Sequence, residues 1–225
     1  FVPGNRESML RKAAGARPDV FVPDLEDSVP AQEKENARET VERLVGMLAA
    51  TGRPVFPRLN GIDTTWLEDD ARALVGPDVA GVSVGKIRTP EDVRRIDALL
   101  ADAERARGIE VGRTKLIPWI ETAAAVLDAL RIATASTRVV ALAFGAEDLT
   151  LDMGIRRSSD DSEVSVARSL TCLAAAAAAV PALDTPFFSF RDAAALERNA
   201  EASKRIGFRG KFAIHPDQLA TIERV

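Results

Sequence analysis

The sequence predicts an α/β protein, a (β/α)8 TIM barrel, and two observations carry that expectation. Eight short apolar, β-branched stretches recur along the 225 residues, and helix-patterned segments separate them. No G-x-G-x-x-G turn follows the first stretch and no Walker-type sequence occurs, which ranks a doubly wound open sheet second.

The first strand is expected at Phe1-Val2-Pro3, the second at Val20-Phe21-Val22 and the third at Val55-Phe56-Pro57-Arg58-Leu59. The fourth is Val82-Ser83-Val84, the fifth Leu116 to Ile120 and the sixth Val139 to Phe144. The seventh lies near Ala182-Leu183 and the eighth at Phe212-Ala213-Ile214. Helical patterns cover Ala31 to Leu48, Pro90 to Arg107, Thr122 to Ala133, Asp161 to Ala179 and Asp192 to Ile206. The second of these opens with Thr89-Pro90-Glu91-Asp92, Thr at the cap and Pro at the first helical position. A closed barrel typically takes ~250 residues, so a compact version trimmed at its ends is expected. The chain opens on Phe1 rather than Met, which places a native beginning upstream. With no repeat beyond the β/α alternation and no linker-like segment, residues 1–225 read as one domain.

Composition narrows the function. Hydrophobic residues make up 46% and charged residues 28%, which excludes a disordered chain. Aromatics are 5% with no Tyr, so the core must be aliphatic and Ala-rich. A net charge of −4 without a basic run argues against nucleic acid. No apolar run approaches the ~20 residues that span a bilayer, and no secretory signal is visible. A single cysteine, Cys172, cannot form an internal disulfide and fits a reducing, cytoplasmic setting. Beside the run Ala174 to Ala179 it reads as a buried thiol, not a nucleophile. The single histidine, His215, excludes a His-rich zinc site and makes serine-type triads a poor fit. Metal chemistry would fall to carboxylates, which favours a hard ion such as Mg²⁺.

In a β/α barrel the active site lies at the carboxyl ends of the strands. Those ends carry Asn5-Arg6, Asp24-Leu25-Glu26-Asp27-Ser28, Arg58-Leu59-Asn60, Lys86, Glu121-Thr122, Glu147-Asp148, Asp184 and His215. Glu121 and Asp148 each follow a buried strand, and two such acids can converge on one divalent cation. Arg58 closes a buried strand, where an unpaired guanidinium is costly. Its fork suits a substrate carboxylate, and a structural ion pair with Asp24 or Glu26 satisfies it equally. Other plain readings stand beside these. Asp24, Glu26 or Asp27 can cap the following helix, and Glu121-Thr122 can begin one. Lys86 can pair with a rim acid or be solvated, and His215 can cap the last helix.

Several of these segments together resemble the citrate lyase beta-subunit-like (CitE-like) group of the HpcH/HpaI aldolase/citrate lyase family. They are Phe1-Val2-Pro3-Gly4-Asn5-Arg6, Asp24 to Val29, Lys34 with Ala37-Arg38, Arg58-Leu59-Asn60, Ile120-Glu121-Thr122-Ala123, Phe144 to Leu149, and Gly210 to Pro216. They lie in order across almost the whole chain. The resemblance implies acyl-CoA-type lyases on a β/α barrel, with Mg²⁺ held by Glu121 and Asp148 and Mn²⁺ as a substitute. It implies that Arg58 grips the substrate carboxylate, with Glu121 also substrate-binding, and that Glu26 and Asp27 line the catalytic site. Val84-Gly85-Lys86 departs from a Leu-Pro-Lys-type ending, and Phe56-Pro57-Arg58 from a Val-Arg-Val context. The C-terminal lid that some members contribute to a neighbouring subunit is not in this sequence, so the proton-transfer acid is unassigned.

The implied reaction is Mg²⁺-dependent carbon–carbon cleavage, or condensation, of a 3-hydroxy-acyl thioester of malyl, citramalyl or citryl type. Its products are a 2-oxo acid and an acetyl or acyl thioester, carried on CoA or an acyl-carrier protein. Alternatives on the same site are a malyl-CoA-type thioesterase and a CoA-independent 2-oxo-acid aldolase. A non-catalytic barrel subunit is disfavoured by intact Glu121, Asp148 and Arg58. The resemblance also implies a homo-oligomer, a trimer or a multiple of one.

Overall fold

The computed structural model describes residues 1–158 and 160–225, and in it eight short parallel strands alternate with helices in sequence order. The chain divides into two compact units. One comprises residues 1–85 and 95–116, the other residues 86–94 and 117–225.

The first unit contains β1 (Val2–Pro3), α1 (Glu7–Ala13), β2 (Pro23–Asp24), α2 (Lys34–Ala49), β3 (Arg58–Leu59), α3 (Leu67–Leu74) and β4 (Gly81–Val84). It also holds most of α4 (Pro90–Ala106) and the first residues of β5 (Lys115–Ile120). Val2 pairs with Pro23, Asp24 with Arg58, and Arg58 with Ser83, all in parallel. The second strand starts later than expected, at Pro23, with Phe21 making only an isolated bridge to Val55. Proline explains the short pairings, because Pro23, Pro54 and Pro57 have no N–H to give a ladder. α2 buries Ala37, Val41, Leu44, Val45 and Leu48, the three-and-four spacing of one helical face. Gly81 is required by a close approach: a Cβ there would sit 2.3 Å from the Phe56 ring and 2.6 Å from the Lys115 carbonyl oxygen. The start of α4 is the one the sequence predicts. The Thr89 N–H donates to Asp92 Oδ2 (2.8 Å), and the Asp92 N–H donates to Thr89 Oγ1 (3.3 Å).

The second unit contains α5 (Ala123–Leu127), α6 (Ala129–Ala133), β6 (Leu142–Phe144), α7 (Ala146–Asp152), α8 (Ser165–Ala177), β7 (Ala182–Asp184), α9 (Ala193–Ile206), β8 (Gly210–Lys211) and α10 (Leu219–Arg224). Trp119 pairs with Ala143, Leu142 with Ala182, and Leu183 with Gly210. The helix expected over 122–133 is two helices, broken at Asp128, where φ is −110° and ψ 12°. The eighth strand is Gly210–Lys211, not Phe212 to Ile214. The apolarity of that segment serves packing instead, since the Phe212 ring stacks on Trp119 at 4.8 Å. Among the described residues no helix is long and apolar enough to cross a membrane.

Candidate active site

In the first unit the strand ends gather charge around Arg58. The register that sets Asp24 opposite Arg58 lets the guanidinium grip it with a fork. Nε donates to Asp24 Oδ1 and Nη2 to Asp24 Oδ2, both at 2.7 Å. Nη1 faces two further acids, one half-exposed and one buried: it donates to Asp27 Oδ2 at 2.9 Å and lies 3.0 Å from Glu26 Oε2. Asp24 is 1% exposed and also accepts the N–H groups of Glu26 and Ser28. Burial alone would push its carboxyl up. Arg58 and these N–H donors outweigh that and hold it at about 2. Burial likewise disfavours the Arg58 cation, and Asp24, Glu26 and Asp27 more than restore it, so its pKa lies above the ordinary arginine value.

Two neighbours fix this cluster. Lys34 Nζ donates to the carbonyls of Leu25 and Glu26, each at 2.7 Å, which pins the loop after β2. Burial lowers its pKa despite the surrounding acids. Fully buried Asp70 accepts the Asn60 N–H (2.9 Å), Asn60 Nδ2 (2.6 Å) and Arg38 Nε (2.8 Å), which fixes the end of β3. Of the plain readings from sequence, the ion pair of Arg58 with Asp24 and Glu26 is therefore present, and Asp27 joins it.

In the second unit Glu121 and Asp148 share one cation. Glu121, 1% exposed at the end of β5, accepts the Lys86 backbone N–H at 2.6 Å on Oε1. Lys86 Nζ lies 2.5 Å from Asp148 Oδ1 and 3.6 Å from Glu121 Oε1. Lys86 has φ +60°, a left-handed backbone that costs a non-glycine residue about 1–2 kcal/mol. Gly145 makes room for the acid: a Cβ there would fall 2.6 Å from Glu121 Oε2 and 2.7 Å from Glu121 Cβ. Thr122, not Glu121, caps α5, its Oγ1 accepting the Ala125 N–H at 3.1 Å. Glu121 is thus left to the strand end rather than spent on a helix start.

Among the described residues no group of three or more His, Cys, Asp or Glu could hold a metal ion. Glu121 and Asp148 are two carboxylates that face one ammonium. Magnesium is commonly held by one or two carboxylates, with water and substrate oxygens completing its shell, so a two-acid set suffices. That the pair already faces an ammonium shows that this position attracts positive charge.

Other rim candidates have structural partners. Asp184 is fully buried, and its Oδ2 accepts from Arg168 Nη2 (2.9 Å), Lys211 Nζ (2.7 Å) and Ser203 Oγ (2.6 Å). Burial opposes its ionisation, but Lys211 and Arg168 keep its pKa below the ordinary range. His215 caps the turn Pro216–Gln218, accepting the Asp217 N–H on Nδ1 at 3.3 Å, and stacks on Phe190 at 4.6 Å. Burial pushes the Cys172 thiol up to about 11, the property of an inert buried cysteine. Sequence reasoning missed Arg168 and Lys211 as partners of Asp184, and Gly145 as the space for Glu121. The apolar run before Gly145 was the available signal for the latter.

Comparison with known proteins matches residues 1–216 to a family described as HpcH/HpaI aldolase/citrate lyase. The chain is similar to the citrate lyase subunit beta of Leuconostoc mesenteroides subsp. cremoris, with 34% identity covering 100% of this chain and 74% of that one. It is also similar to a (3S)-malyl-CoA thioesterase of Cereibacter sphaeroides, with 30% identity covering 100% and 75%. Among solved structures, a citrate lyase beta subunit from M. tuberculosis complexed with oxaloacetate and magnesium superposes with a TM-score of 0.81. The identity is 27%, covering 100% of this chain and 93% of that one.

Proposed function

Because the chain belongs to the HpcH/HpaI aldolase/citrate lyase family and is a lyase of that kind, we propose that it cleaves or forms the carbon–carbon bond of a 3-hydroxy-acyl thioester. Malyl-, citramalyl- and citryl-type thioesters fit, with CoA or an acyl-carrier protein as carrier. In the cleavage direction the hydroxyl proton is lost and the bond between the hydroxyl carbon and the thioester α-carbon breaks. Its electron pair leaves on the acyl thioester as an enolate, which is then protonated, and the hydroxyl carbon becomes the carbonyl of a 2-oxo acid. The eight parallel strands in sequence order fit a (β/α)8 barrel.

The observation that carries the reading is the pair Glu121 and Asp148 facing one cationic group. We assign them as ligands of a divalent ion, Mg²⁺ with Mn²⁺ as substitute. When bound, that ion supplies Lewis acidity, polarising substrate oxygens and lowering the hydroxyl pKa. Gly145 leaves the Glu121 side chain its place, and the Lys86 N–H orients one of its oxygens. Arg58 is assigned to the substrate carboxylate through Nη1, the edge that meets half-exposed Asp27. Its Nε and Nη2 stay on Asp24, which fixes the plane of the fork. Glu26 and Asp27 then line the site beside it.

A thioesterase reading is supported by the likeness to (3S)-malyl-CoA thioesterases. A panel of 3-hydroxy-acyl-CoA substrates with Mg²⁺ separates the two. Acetyl-CoA plus a 2-oxo acid is the expected result, abolished by chelator and restored by Mg²⁺ or Mn²⁺. Free CoA with an intact hydroxy acid would assign a thioesterase, and full activity without metal would remove the metal assignment.

We also propose that the chain assembles with copies of itself, as a trimer or a multiple of one. On α8, Val166, Leu170 and Leu173 stay exposed at spacings of four and three, one helical stripe. α6 and α5, which pack on α8, leave Leu130 and Leu127 exposed. Apolar surface concentrated in this way marks an interaction site. Light scattering at micromolar concentration is expected to give a multiple of the 24.1 kDa chain, and Leu173→Lys is expected to reduce it. A fully active monomer would contradict this assignment.

A further inference from the structure

We infer that Lys86 is a tethered counter-cation of the Glu121–Asp148 pair, one that holds the two carboxylates together and that a divalent ion must displace in order to bind. The inference rests on the assignment of those acids as metal ligands and concerns what Lys86 does to the ion's affinity.

Three observations lead to it. Both ends of one residue address the same acids. The main-chain N–H meets Glu121 Oε1, and the ammonium lies against Asp148 Oδ1 and within 3.6 Å of Glu121 Oε1. The ammonium therefore occupies the side of the pair on which an ion shared by both carboxylates would be held.

The backbone is bent to make this possible. A lysine at φ +60° is strained, and strain of this kind persists only where the surroundings fix it. Neither the N–H contact nor the ammonium contact is a local turn bond, since the partners are 35 and 62 positions away in sequence. The bend is thus set by the acids that Lys86 serves.

The two contacts also differ in how easily they break. Glu121 is nearly inaccessible, so its charge needs a cation close by whether or not metal is present. The Lys86 side chain keeps 26% of its surface exposed, and its flexible four-carbon stem can carry the ammonium out to water. The backbone N–H cannot leave with it. Displacing the ammonium would therefore free the carboxylates for an ion while Glu121 stays oriented by the peptide. Binding becomes an exchange of one cation for another, which lowers affinity.

The test is Mg²⁺ titration by calorimetry of chelator-treated wild type, Lys86→Met, Lys86→Arg and Glu121→Gln. Met is unbranched like Lys and meets the same backbone strain without the charge. We expect Lys86→Met to bind Mg²⁺ at least ~10-fold more tightly, about 1.4 kcal/mol, while Lys86→Arg stays within ~3-fold of wild type because a cation remains. Metal-free Lys86→Met should melt below wild type and gain more on Mg²⁺ addition. In wild type itself, acylation of Lys86 by an amine reagent, read by mass spectrometry, should increase with Mg²⁺ as the ammonium is released. If Lys86→Met binds no more tightly, or Mg²⁺ leaves Lys86 labelling unchanged, while Glu121→Gln loses the ion, the counter-cation role is wrong and the metal site stands. If Glu121→Gln binds Mg²⁺ as wild type does, the metal assignment fails and this inference with it.

Discussion

Arg58→Met is expected to destabilise the protein by roughly 3–5 kcal/mol, the cost of leaving a buried ion pair half made. It should also reverse the acid side of the stability profile. In wild type, Asp24 titrates at about 2 against an ordinary 3.8, so the folded state binds fewer protons than the unfolded one. The pair's contribution is complete above about pH 4 and is lost as pH falls toward 2. In the variant, burial remains and the fork is gone, so the Asp24 carboxyl rises above its ordinary value. The folded state then binds more protons, and stability falls as pH rises above about 4. Glu26 and Asp27 lose the same ion-pair partner. Urea unfolding at several pH values between 4 and 6 reads both effects. A loss below about 1 kcal/mol, with the wild-type slope kept, would mean that Lys34 suffices as counter-ion for these acids.

What could be read in advance, and what could not, follows from how each residue does its work. Glu121 and Asp148 were visible because each follows an apolar run that must be buried, and a carboxylate there is conspicuous. Arg58 was visible for the same reason, and its partners Asp24 and Glu26 were within reach of the reading because adjacent parallel strands bring consecutive strand ends together. Lys86 was only half visible. Its position after β4 is plain in the sequence, but its positive φ and its approach to two acids far along the chain are not local properties. The cluster of Asp184 with Arg168 and Lys211 was hidden for a related reason. Arg168 sits on α8 among small residues, and nothing in its neighbours marks it as buried. Helices α1, α3 and α7 are too short to show a helical period in the sequence. α7 begins immediately after Gly145, so acids that in the sequence follow an apolar run occupy a first helical turn. The eighth strand pairs before the apolar segment begins, because Phe212 is apolar in order to stack on Trp119.

Arg58→Lys is the variant that asks what the fork is for. It keeps the positive charge, so much of the penalty expected for Arg58→Met should be spared and the protein should fold. It cannot keep the geometry. Nε and Nη2 hold Asp24 while Nη1 points to Asp27 and Glu26, and a single ammonium has no second edge to offer. If the substrate carboxylate takes its place at Nη1, the lysine must choose between Asp24 and the substrate. The expected result is at least a ~10²-fold loss in kcat/KM, about 2.7 kcal/mol of transition-state stabilisation, with Mg²⁺ affinity unchanged. Glu121→Gln is expected to behave in the opposite way. It preserves volume but removes a ligand charge, so Mg²⁺ binding weakens and activity returns in part at high Mg²⁺, a rescue that Arg58→Lys should not show. Should Arg58→Lys turn over near the wild-type rate while folded, Arg58 would be the counter-ion of Asp24 alone, and the substrate carboxylate would have to be held by another group.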